Sequence, residues 1–395
     1  MISLSAHQAY LDYGASRPVD PGVLQTMAPY FTERWGNPSS SYSLALQCRE
    51  TLEESRKKVA SLIRAKPSEV IFTSGATESI NTAVKGVAYR NRTRGDEILY
   101  STVEHMAVIN ASKSLTRQGF KVASVPVDRF GVVSLDALRK AMSEKTLVVS
   151  VMCANGEIGT VQPIRQVAEI VHGFGGYLHV DAVAAAGQLP IDVGKDEVDL
   201  MSLSSNDLYG PKGVGALYIR EGTKIEPFIH GGGQERGLRS GTENLPGIVG
   251  MAKAAEIAKS LLNSESPRLA KLRDELIGRV VGTVKEAYLN GHPEERLPNN
   301  ANIRFSYVEG ESLILSLDME GIQVSSGSAC TSKTLEPSHV LMAIGLKHEE
   351  AHGSLAFTFG RGNTQEDVDY VLDVLPPIVK RLRMMSPLTP KDFAA

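Results

Sequence analysis

Polar residues that could take part in catalysis follow three apolar, strand-like runs of this sequence. Asp181 closes the run YLHVDA, Asn155 follows VVSVM, and His105 follows EILYS. The carboxyl ends of parallel strands face the crevice in which α/β proteins bind ligands. A carboxylate, an amide and an imidazole at those ends could therefore bind or polarise a ligand. A histidine there could equally cap a helix or pack in the core.

Two segments rich in small residues could bind an anion. Residues 74–79, SGATES, follow the run EVIFT. Backbone N–H groups at a strand-to-helix turn can approach a phosphate, although a plain tight turn would have the same sequence. Residues 229–242, IHGGGQERGLRSGT, set Arg236 and Arg239 beside a glycine-rich backbone. This second segment could grip an anion or form an interface loop.

The sequence contains three cysteines, Cys48, Cys153 and Cys330, which are too few and too scattered for a disulfide framework or a zinc site with paired ligands. Cys48 lies on the apolar face of a helical pattern and is predicted to be in the core. Cys330 stands among small and polar residues, SSGSACTSK, so we expect an exposed thiol. Such a thiol is available as a nucleophile or as a metal ligand.

The elements that must position these residues alternate between short, β-branched runs and longer helical patterns. This alternation predicts an α/β fold with a mostly parallel sheet covered by helices. Near residue 260 the pattern changes to a helix predicted at about 266–287, followed by the strand-like NNANIRFSYV. We therefore place a boundary there and expect a smaller α+β domain in the C-terminal part.

Charge and hydropathy exclude several kinds of partner. The chain has 395 residues, with 42 Lys and Arg against 45 Asp and Glu, so its net charge is −3. This balance gives no basic surface for nucleic acid. No apolar run approaches the roughly 18 residues of a membrane helix, and the N-terminus lacks the pattern of a signal peptide. We expect a cytoplasmic protein with no membrane partner.

Twelve segments together resemble the cysteine desulfurases, which are class V aminotransferase-type pyridoxal phosphate enzymes of fold type I. The segments are YLDYGASRPVD, GNPSS, FTSGATES, TVEHMAV, NGEIG, HVDA, YGPKGVGALYIR, GGGQERGLRSGT, EGESL, SSGSACTS, AHGS and RLRMMSPL. The resemblance implies a homodimer whose large domain, residues 16–262, has a seven-stranded sheet. It also implies a small domain formed by the N- and C-terminal parts, residues 1–15 and 263–395.

The resemblance further implies a reaction and a set of site residues. In the family, a lysine holds pyridoxal phosphate as a Schiff base, free cysteine gives up its sulfur, and a loop cysteine carries it as a persulfide to an iron–sulfur scaffold protein. Here Cys330 matches that cysteine, His105 the residue stacked on the ring, Asp181 the partner of the ring nitrogen, and Asn155 a residue near the ring hydroxyl. The positions matched to phosphate binding are Ala76, Thr77, Ser204 and, from the second subunit, Thr242.

Three positions depart from the family pattern. The Schiff-base lysine is Asp207, the glutamine that touches the ring hydroxyl is Ala184, and the arginine that grips the substrate carboxylate is Ala356. A carboxylate forms no imine with an aldehyde. Lys212 matches a different lysine of the family and is expected to point elsewhere. These changes predict that conventional desulfuration through pyridoxal phosphate is lost or much reduced.

Three hypotheses follow. The leading one is a desulfurase-like protein that pairs with an iron–sulfur scaffold through the tail RLRMMSPL and presents Cys330 as a cluster ligand or sulfur carrier, since thiolates suit iron. The alternative is an active desulfurase or lyase with non-covalently bound pyridoxal phosphate. The third is a structural or regulatory dimer partner whose remaining motifs preserve the fold. Asp207 itself is predicted to be a solvated acid in an emptied pocket, with a metal ligand or a general base as the alternatives.

Overall fold

This computed structural model describes residues 7–327, 337–390 and 393. Cys330 therefore lies outside the described residues. The strands are β1 (Ala9–Tyr10), β2 (Val70–Thr73), β3 (Glu97–Ser101), β4 (Lys121–Val125), β5 (Thr146–Ser150), β6 (Tyr177–Asp181), β7 (Leu200–Ser204), β8 (Gly215–Ile219), β9 (Ala287–Leu289), β10 (Asn300–Phe305), β11 (Ile322–Gln323) and β12 (Ser354–Thr358). The helices are α1 (Pro21–Met27), α2 (Pro29–Thr32), α3 (Ser43–Leu62), α4 (Ala76–Arg90), α5 (Met106–Leu115), α6 (Leu135–Ala141), α7 (Ile164–Gly173), α8 (Leu245–Thr283), α9 (Gly310–Met319), α10 (His339–Ala343), α11 (His348–His352) and α12 (Gln365–Met385).

A seven-stranded sheet forms the centre of the molecule, in the order β2-β8-β7-β6-β5-β3-β4. All its neighbouring strands pair in parallel except at β8, which is antiparallel to both β2 and β7. Strands β2, β5 and β8 are buried along their whole length, as expected for a sheet covered by helices on both faces. The predicted α/β class and mostly parallel sheet are confirmed.

The long helix α8 differs from its prediction. We expected a helix at about 266–287, but α8 runs without a break from Leu245 to Thr283 and contains Pro267. Its N-terminal part packs against α3, and residues 245–255 are buried nearly all round, with Val249, Met251 and Ala255 in the core. A helix buried on every side lacks the amphipathic pattern by which helices are identified from sequence.

A second hydrophobic core surrounds two smaller sheets, β12-β10-β9 and the pair β1-β11. It is formed by these strands and by apolar residues of the second half of α8, α9 and α12. The predicted boundary at residue 262 falls inside α8, between the buried residues that belong to the two cores. The division into domains stays a prediction. No helix within the described residues has the length and hydropathy needed to cross a bilayer.

Candidate functional site

A cavity of about 340 Å³ lies at the carboxyl end of the seven-stranded sheet. Residues that end or follow five different strands of that sheet line it, together with residues from the C-terminal part of the chain such as Gly327, His339 and Thr358. Of the predicted site residues, those that line it are Ala76, Thr77, His105, Asn155, Asp181 and Asp207. The folded chain thus brings most of the expected site together across more than a hundred residues of sequence.

Asp181 is the last residue of β6, and its side chain is buried at the cavity. One carboxylate oxygen, Oδ1, accepts a hydrogen bond of 3.0 Å from the backbone N–H of Val183. Burial raises the pKa of Asp181, the Val183 hydrogen bond and the charge of His105 lower it, and the charge of Asp207 raises it further. Asp207 therefore adds to the effect of burial on the pKa of Asp181.

His105 has the helix-capping role that its sequence position suggested, and its predicted contact with a ligand stays a prediction. It caps α5, because its Nδ1 accepts a hydrogen bond of 3.1 Å from the backbone N–H of Ala107. Its side chain also lines the cavity. The cap fixes the direction of the imidazole ring, because Nδ1 has to face the Ala107 N–H.

The turn between β2 and α4 is stabilised by an ion pair. Gly75 has a φ of 154°, which favours glycine, and Ala76 begins the 15-residue helix α4. Glu78 accepts a hydrogen bond of 2.8 Å from the Ser74 N–H and pairs with Arg239 Nε at 2.9 Å. Burial raises the pKa of Glu78, but the hydrogen bonds from Arg239 and Ser74 outweigh it and lower the net pKa.

Asn155 uses its amide to organise the loop after β5. Its Nδ2 donates to the carbonyl of Val103 at 2.9 Å, and its Oδ1 accepts from the N–H groups of Glu157 and Ile158, both at 2.9 Å. The side chain is buried and lines the cavity. The structure therefore gives Asn155 a positioning role, and its predicted contact with a ring hydroxyl stays a prediction.

Two buried glutamates of the cavity were missed as site residues. Glu104 accepts hydrogen bonds from Ser101 Oγ at 2.6 Å and from the Met152 N–H at 2.7 Å, while its Oε2 has no partner among the described residues. Burial raises its pKa to about 8. Glu157 likewise has an unpartnered Oε1, and burial raises its pKa to about 7 despite a hydrogen bond with Ser338.

Both glutamates stand in motifs that we had singled out, TVEHMAV and NGEIG. Their charge alone would have suggested exposure to solvent. The signal that could have found them is the apolar sequence around each one, because an acid inside a buried run has to be accommodated by hydrogen bonds or by protonation.

Asp207 lies in a 3₁₀ turn, Asn206–Leu208, just after β7, and its half-buried side chain lines the cavity. Its carboxylate forms no ion pair with any residue that the structure describes. The Arg17 guanidinium donates instead to the backbone carbonyl of Asp207. Lys212 donates from Nζ to the Arg17 carbonyl at 3.2 Å and is not among the described residues lining the cavity.

The three positions that depart from the family pattern, Ala184, Asp207 and Ala356, all line this one cavity. Ser204 and Thr242 are not among its described lining residues. Ser204 ends β7, and Thr242 is exposed on the loop of residues 229–242. Their phosphate contacts therefore stay predictions, as does every role assigned to Cys330.

Comparisons with known proteins all indicate the same family. The class-V aminotransferase family model matches residues 9–371. The chain is 56% identical to the cysteine desulfurase IscS 1 of Archaeoglobus fulgidus, over 96% of this chain and 99% of that protein. It is 50% identical to the cysteine desulfurase IscS of Methanosarcina thermophila, over 99% and 97%.

Solved structures agree with these relatives. A NifS-like protein superposes with a TM-score of 0.89 at 41% identity, covering 95% of this chain and 100% of that one. SspA in complex with cysteine superposes with a TM-score of 0.79 at 32% identity, covering 89% and 98%. Nothing in these similarities supports the predicted loss of desulfuration, and they favour the alternative of a retained enzyme.

Proposed function

Because this chain belongs to the class V aminotransferase family and, within it, to the cysteine desulfurases, we propose that it takes sulfur from free cysteine with pyridoxal phosphate bound non-covalently. The observation that carries this proposal is that Asp181, His105 and the turn at Ala76 and Thr77 line a single cavity. The relatives are named cysteine desulfurases. One structural relative was solved with cysteine, which supports cysteine as the substrate.

The described residues of the cavity fit the cofactor except at its aldehyde. The buried carboxylate of Asp181 would hold a proton on the ring nitrogen, and the fixed imidazole of His105 would lie against the ring. The backbone N–H groups of Ala76 and Thr77, at the first turn of α4, would bind the phosphate. When bound, pyridoxal phosphate supplies an electron sink.

None of the described residues that line the cavity offers an amine for covalent attachment. No lysine is found among the described residues that line the cavity. Hydrogen bonds, ring contacts and the protonated ring nitrogen would therefore have to retain the cofactor. We expect a weaker and more reversible association than an imine would give.

Spectroscopy and sulfide release test the proposal together. The purified full chain is incubated with pyridoxal phosphate, and its absorbance is recorded before and after dialysis. Cysteine is then added, and released sulfide is measured. We expect bound cofactor that dialysis removes, and sulfide formation that requires both cofactor and cysteine. A chain that binds no cofactor, or releases no sulfide, would contradict the proposal.

Two variants serve as matched controls. Asp181→Asn removes the charge that keeps the ring nitrogen protonated, so we expect slower sulfide release. Cys330→Ala is expected to bind the cofactor normally but to release no persulfide sulfur. Together they separate the role of the cavity from that of the predicted sulfur carrier.

A second candidate function is favoured by the grouping of Ala184, Asp207 and Ala356 in one cavity. If these changes silence sulfur release, the chain could instead pair with an iron–sulfur scaffold and present Cys330 as a cluster ligand or sulfur carrier. The C-terminal segment 381–388 supports this reading, because it leaves Met384, Met385 and Leu388 exposed.

Anaerobic co-purification with a scaffold protein tests this second candidate. Iron and sulfide are measured in the complex and compared with those of the Cys330→Ala variant. A lower cluster content in the variant is the expected result. An unchanged cluster content would leave Cys330 without a role as a ligand.

The assembly that we propose is a cytoplasmic homodimer. Exposed apolar side chains concentrate in α1–α3 and the loops between them, namely Leu24, Phe31, Trp35, Tyr42 and Leu46. Exposed apolar groups that lie together mark an interface more often than a solvated surface. Sedimentation velocity is expected to give twice the mass of the chain, and a Phe31→Glu, Trp35→Glu variant is expected to sediment as a monomer.

A further inference from the structure

Carboxyl groups dominate the ionisable side chains around the cavity. Those that line it are Asp12, Glu104, Glu157, Asp181 and Asp207. The cationic or potentially cationic side chains that line it, among the described residues, are Arg17, His105 and His339. A ligand that enters this cavity therefore meets an excess of acidic groups.

Two of these three cationic or potentially cationic side chains, Arg17 and His339, already bind backbone carbonyls. Arg17 donates from Nε to the Tyr13 carbonyl at 3.2 Å, and a second guanidinium nitrogen donates to the Asp207 carbonyl. His339 bonds through Nε2 to the Glu104 carbonyl at 2.9 Å, and burial lowers its pKa, which favours the neutral ring. Neither side chain forms an ion pair with the Asp207 carboxylate in the part of the chain that the structure describes.

The acids of the cavity are not equivalent. Asp12 accepts a hydrogen bond of 2.8 Å from Ser325 Oγ. Glu104 and Glu157 are both more than nine-tenths buried, and each leaves one oxygen without a partner among the described residues. Asp207 is only half-buried, and its carboxylate is within reach of a ligand in the cavity that it lines.

The ligand that these groups suit is an organic cation. The described residues contain no group of three or more His, Cys, Asp or Glu side chains placed to hold a metal ion. An ammonium group, by contrast, needs only one well-placed carboxylate and hydrogen-bond acceptors nearby. Unpartnered acceptor oxygens and an unpaired carboxylate around one cavity meet that need.

We propose that Asp207 binds a primary ammonium group in this cavity. The site would then prefer an amine to an aldehyde at the position of Asp207. The inference rests on the proposed function, because it concerns the same cavity and cofactor. The ammonium could belong to the substrate cysteine or to the aminated cofactor, pyridoxamine phosphate. In both cases the carboxylate contributes a charge-assisted hydrogen bond and forms no covalent bond.

Binding of cofactor analogues tests the first source. Pyridoxamine phosphate and pyridoxine phosphate differ only in an ammonium against a neutral hydroxyl, and both can be titrated by fluorescence. We expect the full chain to bind the amine about tenfold more tightly. Asp207→Asn and Asp207→Ser should abolish this preference and still bind pyridoxine phosphate, which verifies that the variants fold.

The second source is tested with pyridoxine phosphate already bound. L-Cysteine is compared with 3-mercaptopropionate, which lacks the amino group. A cysteine preference that Asp207→Asn removes would assign the ammonium to the substrate. If neither comparison depends on Asp207, the inference is wrong although the proposed function stands. If no phosphate-bearing analogue binds at all, both are overturned.

Discussion

Two parts of the cavity differ in which functional groups of the family they retain. The floor consists of Asp181, His105 and the turn 75–77, and the changed wall consists of Ala184, Asp207 and Ala356. Every floor residue is positioned by the backbone, through a strand end, a helix cap or a helix start. The changed wall has lost the amine, amide and guanidinium that the family resemblance implies. Ring and phosphate recognition can therefore persist where the covalent anchor and the substrate clamp do not.

The largest effect should come from restoring an amine to the changed wall. Asp207→Lys is expected to capture pyridoxal phosphate covalently, because the new amine would face the cavity that Asp207 lines. The cofactor should then survive dialysis and, after borohydride reduction, appear as added mass on the intact protein. Asp207→Met, of similar length but without an amine, is the control. Failure of the lysine variant to retain cofactor would mean that the floor does not hold the ring.

Glu104, beside the floor, should make stability depend on pH. Its pKa is raised by burial to about 8 in the folded chain. The folded state therefore holds a proton that the unfolded state releases at lower pH, so stability is greatest below the ordinary glutamate pKa and falls as pH rises towards 8. A difference of several pKa units between the folded and unfolded states corresponds to a few kcal/mol of the free energy of unfolding, at about 1.4 kcal/mol for each unit.

Thermal unfolding of Glu104→Gln between pH 5 and 9 checks this prediction. Glutamine can still accept from Ser101 and Met152, and it does not titrate, so the fall in melting temperature should become shallower. Glu157→Gln is the companion variant, with a smaller expected change because the pKa of Glu157 reaches only about 7. An identical pH profile for all three proteins would show that neither acid is protonated in the folded state.

The sequence predicted the fold more completely than it predicted which residues line the cavity. Short buried strands and the class of the sheet follow from local patterns, whereas residues 245–255 of α8 have no amphipathic signature because they are buried nearly all round. Asp181 and His105 were found because they end strand-like runs. Glu104 and Glu157 were missed because burial of an acid depends on elements distant in sequence, such as the segment at His339.

Substitution of Arg239 should have a moderate effect on the binding of pyridoxal phosphate at the floor. Its pairing with Glu78 neutralises a carboxylate beside the N-terminus of α4. Arg239→Gln should leave that charge unpaired and weaken pyridoxal phosphate binding about tenfold through repulsion of the phosphate. Adding Glu78→Gln should restore affinity, since the repelling charge is then gone. A double variant as weak as the single one would assign Arg239 a purely structural role.

The smallest effect should come from the amide that the changed wall lacks. Ala184 is partly exposed and lines the cavity of about 340 Å³, so a longer side chain at this position can extend into open space. Ala184→Gln should therefore fit and add about one net hydrogen bond to the ring hydroxyl, worth roughly 0.5–1.5 kcal/mol or a few-fold in affinity. Titration with pyridoxal phosphate measures the gain, and Ala184→Leu, of similar size, is the apolar control. An equal gain with leucine would mean that packing, and not the amide, determines how the changed wall contributes to binding.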